Sequence, residues 1–261
     1  MKYGVVVAAC VALWVAAAQP ARAYTINETE KGQVIRWTTT EVHTRVDASF
    51  SDMLVGGAAQ AGLVIALDAW RGYEGVPAIL MVEGEAATPG YHRGQDSNTV
   101  HYLADWPYEA EKLAVTVVTY EMNTGRLLDA DILINGGAPF RLLSEREPRV
   151  ADAYDLAAVL THEVGHMLGL GESEADPEAT MWPYAHPGDT HQRTLAQDDE
   201  VAVVEAYSRA VPDGPTVVGC SGASVGGSMV RNGVGLMGVV APIVAMTAWM
   251  RRRQRTRGRA R

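Results

Sequence analysis

Residues 161–173 read Thr161-His162-Glu163-Val164-Gly165-His166-Met167-Leu168-Gly169-Leu170-Gly171-Glu172-Ser173, and the rest of the chain is best read outward from them. From Asp152 to Leu168 apolar residues recur at three-to-four spacing, which predicts a helix that runs into Gly169 and Gly171. On such a helix His162 and His166 are four apart, so both imidazoles share one face and can reach a single ion. Glu163 lies beside them without needing to ligate it. Zinc held by two histidines and a third ligand keeps one position open for water. The metal draws that water's pKa towards neutrality, and a neighbouring carboxylate can take its proton as it attacks a carbonyl. Chance produces His-Glu-x-x-His in a chain of this composition with a probability of about one percent, and demanding Gly169 three residues later lowers it roughly tenfold.

Gly169 allows the helix to stop and the chain to turn sharply, because glycine tolerates a positive φ. That turn carries residue 172 back towards the histidines. Residue 172 is a glutamate, and two histidines with one glutamate form a workable catalytic zinc set. His186 and His191 are competing donors a short loop away, with Glu174 and Asp176 behind them. Glu172 is placed first.

The flanks predict an α+β domain over 24–210. Gly32 to Trp37 reads as a short strand. Residues 48–70 read as one long amphipathic helix carrying Phe50, Leu54, Leu63, Leu67 and Trp70 on its apolar side. Pro77–Val82, Thr99–Leu103, Ala114–Tyr120 and Ala130–Asn135 are β-rich runs bounded by turn residues, with a hairpin-like turn at Thr124-Gly125. A last helix fits Leu195–Ala210, with Thr194 and Gln197 as its capping box. Asp129 and Asp131 alternate with apolar neighbours, which reads as a solvated strand face before a calcium site. His43, His92 and His101 have no ligand spacing.

After the loop comes Ala179-Thr180-Met181-Trp182-Pro183-Tyr184. Together with His162, Glu163, His166, Gly169 and Ser173, this resembles the metzincin metallopeptidases, and among them the matrixin-like group. Their pattern is His-Glu-x-x-His-x-x-Gly-x-x-His with a later methionine turn. Leu195 to Asp199, opening the last helix, belongs to the same match, and Leu113 to Thr116 and Thr124-Gly125 through Ile132 look like the sheet of that group's bacterial members. The likeness covers roughly 32–208. It implies a twisted, mostly parallel mixed sheet of about five strands with a long N-terminal helix, an active-site helix and a C-terminal helix. It further implies Zn2+ on His162 and His166, Glu163 as general base, Met181 as the floor beneath the metal, and Pro183 and Tyr184 lining a substrate pocket. Structural Ca2+, as matrixins often have, belongs to the same implication. Glu172 departs from the pattern, which has histidine there. An acidic third ligand reduces the site's net charge and weakens the acidity of the zinc water.

The chain has 261 residues, 48% hydrophobic and 20% charged, which excludes a disordered or collagen-like chain. Two cysteines, Cys10 and Cys220, exclude a disulfide framework or a cysteine-built cluster. The formal charge of -9 conceals an uneven distribution. All 31 acidic residues fall between 24 and 219 against 12 basic ones, a net -19, while both ends are basic. Such a body repels phosphates, which argues against nucleic acid as a partner.

Residues 1–23 have a basic start, an apolar centre and an Ala-Arg-Ala exit, the form of a secretory signal peptide cut after Ala23. Residues 211–232 form a Gly/Ser-rich linker with Cys220. Residues 233–250 are 18 uncharged residues, about 27 Å as a helix, which fits a membrane span. Residues 251–261 are Arg-rich and predict a cytoplasmic tail, with the acidic body outside. These last parts resemble the C-terminal sorting signals of bacterial surface proteins, particularly the myxobacterial type, which implies processing near Cys220. A plain single-pass anchor with an incidental cysteine is the alternative. Too little chain precedes the first expected strand for an inhibitory domain, and no cysteine is placed there to cap the zinc. The expected function is a secreted or surface-anchored, monomeric zinc endopeptidase acting on protein or peptide substrates. The alternatives are a surface binding protein with a decayed metzincin site and a zinc amidase on cell-wall peptides.

Overall fold

The computed structural model describes residues 24–82, 98–144, 152–209 and 240–245. Its elements run β1 (Glu41–Val46), α1 (Ala48–Ser51), α2 (Ala58–Ala69), β2 (Ala78–Val82), β3 (Thr99–Leu103), β4 (Lys112–Tyr120), β5 (Leu127–Asn135), β6 (Phe140–Arg141), β7 (Tyr154–Asp155), α3 (Leu156–Met167), β8 (Tyr184–Ala185), α4 (Gln197–Ser208) and β9 (Val240–Ala245). Five strands make the mostly parallel twisted sheet in the order β2-β1-β3-β5-β4, and β9 and β8 continue it beyond β4. β4 alone among the five runs antiparallel, with Val115 opposite Leu133 on β5. β4 and β5 are rich in Val, Ile, Leu and Thr because nearly every residue is buried, one face against helices and the other under a loop. On the helix side Ala114, Val118, Ile132 and Ile134 meet Leu156, Val159 and Leu160 of α3 and Leu63 of α2 in one core. On the other side Val115, Val117 and Leu133 are covered by Trp106 and Tyr108.

This is the α+β architecture expected, with local corrections. The long helix over 48–70 is broken. Gly56 and Gly57 take φ of 68° and 75°, and the regular helix resumes only at Ala58. Gly32–Trp37 makes isolated bridges at Val34 and Arg36 instead of a strand. The last helix starts at Gln197 without Thr194 as its cap; the Asp199 carboxylate accepts from the Ala196 N–H at 2.8 Å. β1 was hidden in the sequence, because its exposed side is Glu41, His43 and Arg45. Asp129 and Asp131 are 1% and 2% exposed, so they do not form a solvated face. They bind the start of β3 to β5, accepting from Asn98 N at 3.0 Å and Thr99 N at 2.9 Å.

Of the expected span over 233–250, only Val240–Ala245 is described, and there the backbone is a strand and not a helix. Among the described residues no helix is long and apolar enough to cross a membrane. The leader 1–23, the linker with Cys220, the tail 251–261 and His92 lie outside the described residues.

The start of α3 is fixed by one buried ion pair. Asp155 caps the helix by accepting from Ala158 N at 2.9 Å, and it also accepts from Leu143 N at 3.0 Å. Arg193 grips the same carboxylate with Nε and Nη2, each at 2.6 Å. Removing one partner strands the other charge, so Asp155→Ala should cost about 3–5 kcal/mol in urea unfolding. A loss under about 1 kcal/mol would show that water replaces the pair.

Burial, and after it the charge of Asp129, pushes the Asp131 carboxyl up to about 7. An acid raised on folding stabilises the fold at low pH and loses that contribution as pH rises from about 4 to about 7. Asp131→Asn keeps the acceptor for Thr99 and should flatten this decline in thermal unfolding across that window. An unchanged slope would remove Asp131 as its source.

Candidate metal centre

All of α3 is buried, which forces its four polar residues, Thr161, His162, Glu163 and His166, to find partners inside the protein. His162 Nδ1 faces the Thr180 carbonyl and His166 Nδ1 the Leu170 carbonyl, each at 2.9 Å. A carbonyl only accepts, so both Nδ1 atoms carry a proton, and in the neutral rings, the form that binds a metal, both Nε2 atoms present lone pairs. These Nε2 atoms are 2.9 Å apart. Glu172 completes the group, with its two carboxylate oxygens 3.5 Å from the two Nε2 atoms. Two lone pairs and a carboxylate converging at this range repel one another unless a cation lies between them. Donors about 3–3.5 Å apart are what three ligands on a sphere of roughly 2 Å radius produce, the radius of a zinc site.

The electrostatics agree. Burial works to lower the His162 pKa, but Glu172 and then Glu163 outweigh it and raise it to about 9. Burial works to raise Glu172, and the two imidazoles instead bring it down to about 2. Both shifts express a demand for positive charge beside a carboxylate. Glu163 differs, because burial wins and raises its pKa against the pull of both histidines. Its Oε2 accepts from the Thr116 hydroxyl at 2.6 Å, while Oε1 is buried without a hydrogen-bond partner.

Two turns deliver the carbonyls and Glu172. At the end of α3, Leu170 N bonds Gly165 O at 3.0 Å and Gly169 N bonds His166 O at 2.9 Å, with Gly169 at φ 91°. A Cβ at Gly169 would sit 1.9 Å from the Ile35 carbonyl oxygen. Thr25 and Asn27 hold the next residues: Gly171 N donates to Thr25 O at 2.8 Å, and Asn27 Nδ2 to Leu170 O at 2.9 Å. The second turn spans Ala179 to Trp182. Asp199 accepts from Thr180 N at 2.7 Å and from Met181 N at 3.0 Å. Met181 presses on α3 at Gly165, where any Cβ would meet its sulfur at 2.3 Å.

The structure therefore brings His162, His166 and Glu172 together, with Glu163 on the same helix and Met181 packed one residue before His166. His186, His191, Glu174 and Asp176 do not join the three-residue cluster. Pro183 is buried and Tyr184 half-buried, leading into and opening β8, with Tyr184 edge-on to Trp182. Two partners went unread in the sequence. Thr116 is the one hydroxyl on the helix-facing side of an apolar strand between Ala114 and Val118, a signal that a buried polar partner waits opposite. Asp199 was read only as part of a helix opening.

The matrixin family model matches residues 26–208 of the chain. The chain belongs to the matrixin family. Shorter stretches match individual relatives. Metalloendoproteinase 1 of Glycine max is 45% identical over 58 residues, 22% of this chain and 18% of that protein. Metalloendoproteinase 5-MMP of Arabidopsis thaliana is 38% identical over 79 residues, 30% of this chain and 20% of that protein. Human matrilysin is 43% identical over 49 residues, 19% of this chain and 18% of that protein. The matched part of this matrixin thus spans about a fifth of each relative. Family membership implies zinc, and the convergence of two imidazole lone pairs with a carboxylate in this matrixin fits it.

Glu172→Ala should lower bound zinc by at least about tenfold in affinity, measured by competition with a fluorescent chelator, while His186→Ala and His191→Ala leave it unchanged. Full zinc binding in Glu172→Ala would transfer the third position elsewhere.

Proposed function

We propose that this matrixin is a zinc metalloendopeptidase, with His162, His166 and Glu172 holding the ion. Bound there, zinc supplies Lewis acidity that polarises water and the scissile carbonyl. Glu163 is the proton carrier. The observation that carries this reading is its unpartnered buried oxygen on the helix of the two histidines. Thr116 anchors Oε2, which leaves Oε1 free to take a proton from the attacking water. The raised pKa of Glu163 suits it to keep that proton long enough to pass it to the departing nitrogen as the C–N bond breaks. Met181 supports the metal helix from below, and Pro183 and Tyr184 line the pocket for the substrate residue after the cleaved bond. The carboxylate of Glu172 makes the ion's ligand set less positive than three histidines would.

Asp129 and Asp131 each give an oxygen to a backbone N–H, and we assign them to clamping β3 onto β5 in preference to binding calcium. Export and retention at the cell surface rest on the sequence of the two ends alone, and fractionation of the producing cell tests them. A monomer acting on protein or peptide substrates completes the proposal.

Glu163→Gln should keep stoichiometric zinc and lose chelator-sensitive casein hydrolysis by about 100-fold or more. Thr116→Val should keep zinc and lower kcat about tenfold at similar KM, with the acid limb of the pH profile displaced. Undiminished turnover in Glu163→Gln would remove it as the base. Stoichiometric zinc with no hydrolysis of any peptide by the native chain would turn the reading to a binding module.

A further inference from the structure

β4 and β8 are not hydrogen-bonded to each other in the sheet, and the strand between them is β9. β9 runs antiparallel to β4, placing Ala114 opposite Ile243, Val115 opposite Pro242, Thr116 opposite Ala241 and Val117 opposite Val240. It runs parallel to β8, with Tyr184 opposite Val244 and Ala185 opposite Ala245. It also packs along α3, the helix of His162, Glu163 and His166. Thr116, which holds Glu163, therefore lies within the β4 stretch that β9 covers.

Two strand edges facing one gap present two rows of N–H and C=O groups, and only an extended chain can satisfy both. We infer that Val240–Ala245 is the resident strand of this cleft, docked in cis where it keeps any other extended peptide out. This rests on the reading of the cleft as the peptidase site and adds its regulation. The connection is long enough: 30 residues, 210–239, separate Arg209 from Val240, roughly 100 Å when extended. Its composition suits a place within a sheet, because Val240 to Ala245 carries no charge. Pro242 lacks an N–H, so the ladder is one donor short and the strand is a removable occupant.

Hydrogen exchange of the full chain tests the docking directly. In β9 successive N–H groups point to opposite neighbours, so Val240→Pro/Val244→Pro and Ala241→Pro/Ile243→Pro each cut the donors to one edge. Both variants should speed exchange of the outward amides of β4, and of Tyr184 and Ala185, by about tenfold or more, with β1 and β3 unchanged. A synthetic peptide of residues 238–247 should restore slow exchange to the variants. Free exchange of those β4 amides in the native chain, or unchanged protection in both variants, would overturn the inference. Protection that fades on dilution would overturn it too, because a second copy would then be the occupant. Casein hydrolysis should rise several-fold in the variants. If exchange responds as stated while no form hydrolyses casein, the docking stands and the peptidase reading fails.

Discussion

Two imidazoles and the Glu163 carboxylate are buried on a helix whose every residue is out of water, with the half-buried Glu172 converging on the two imidazoles, and the rest of the domain answers to that constraint. Burying such groups is costly unless each polar atom is met. The Nδ1 protons are met by the carbonyls of Leu170 and Thr180, one from the turn that ends the helix and one from the turn that carries Met181. Both turns are held from elsewhere. Thr25 and Asn27 hold the first, and Asp199 holds the second. The tautomers follow from those carbonyls, and the converging lone pairs follow from the tautomers. The converging donor set is thus specified by backbone geometry well beyond its own three side chains.

The indole N–H groups of Trp37 and Trp70 donate to the carbonyls of Met167 and Thr161, each at 2.8 Å, and Tyr207 donates to that of Leu168 at 3.1 Å. Those carbonyls lie near the helix end and beside His162, so the aromatic core residues also fix where the imidazoles point. Packing and site are here one set of contacts. A change at Trp70, though it binds no metal, acts on the same helix face that Met181 touches.

Periodic segments were legible from sequence and positions of exchange were not. The metal helix, β3, β4 and β5 stand where the apolar spacing put them, because these elements are buried and their side chains report it. The motif around His162 was equally plain, since the i, i+4 spacing alone aligns two imidazoles. The break at Gly56–Gly57 was hidden because an apolar pattern continues across a pair of residues whose φ is positive. Asp129 and Asp131 alternated as a solvated face would, yet their carboxylates are consumed by the backbone of Asn98 and Thr99, an arrangement that depends on which strand lies alongside. Thr116 and Asp199 are the same case: a polar residue's task is decided by its partner, and the partner is distant in the chain.

The end of the chain shows the limit most clearly. Eighteen uncharged residues satisfy the arithmetic of a membrane helix, and the same absence of charge satisfies the edge of a buried sheet. Within a bilayer the backbone must bond to itself as a helix, whereas between β4 and β8 it bonds to two neighbours as a strand. Residues 240–245 cannot do both at once, so any force that draws them into a lipid phase removes them from the cleft. Between β4 and β8 the segment is a strand, and the free energy that holds β9 on β4 sets how readily it leaves the cleft. Pro242, by withholding one donor from that ladder, moves the balance towards release.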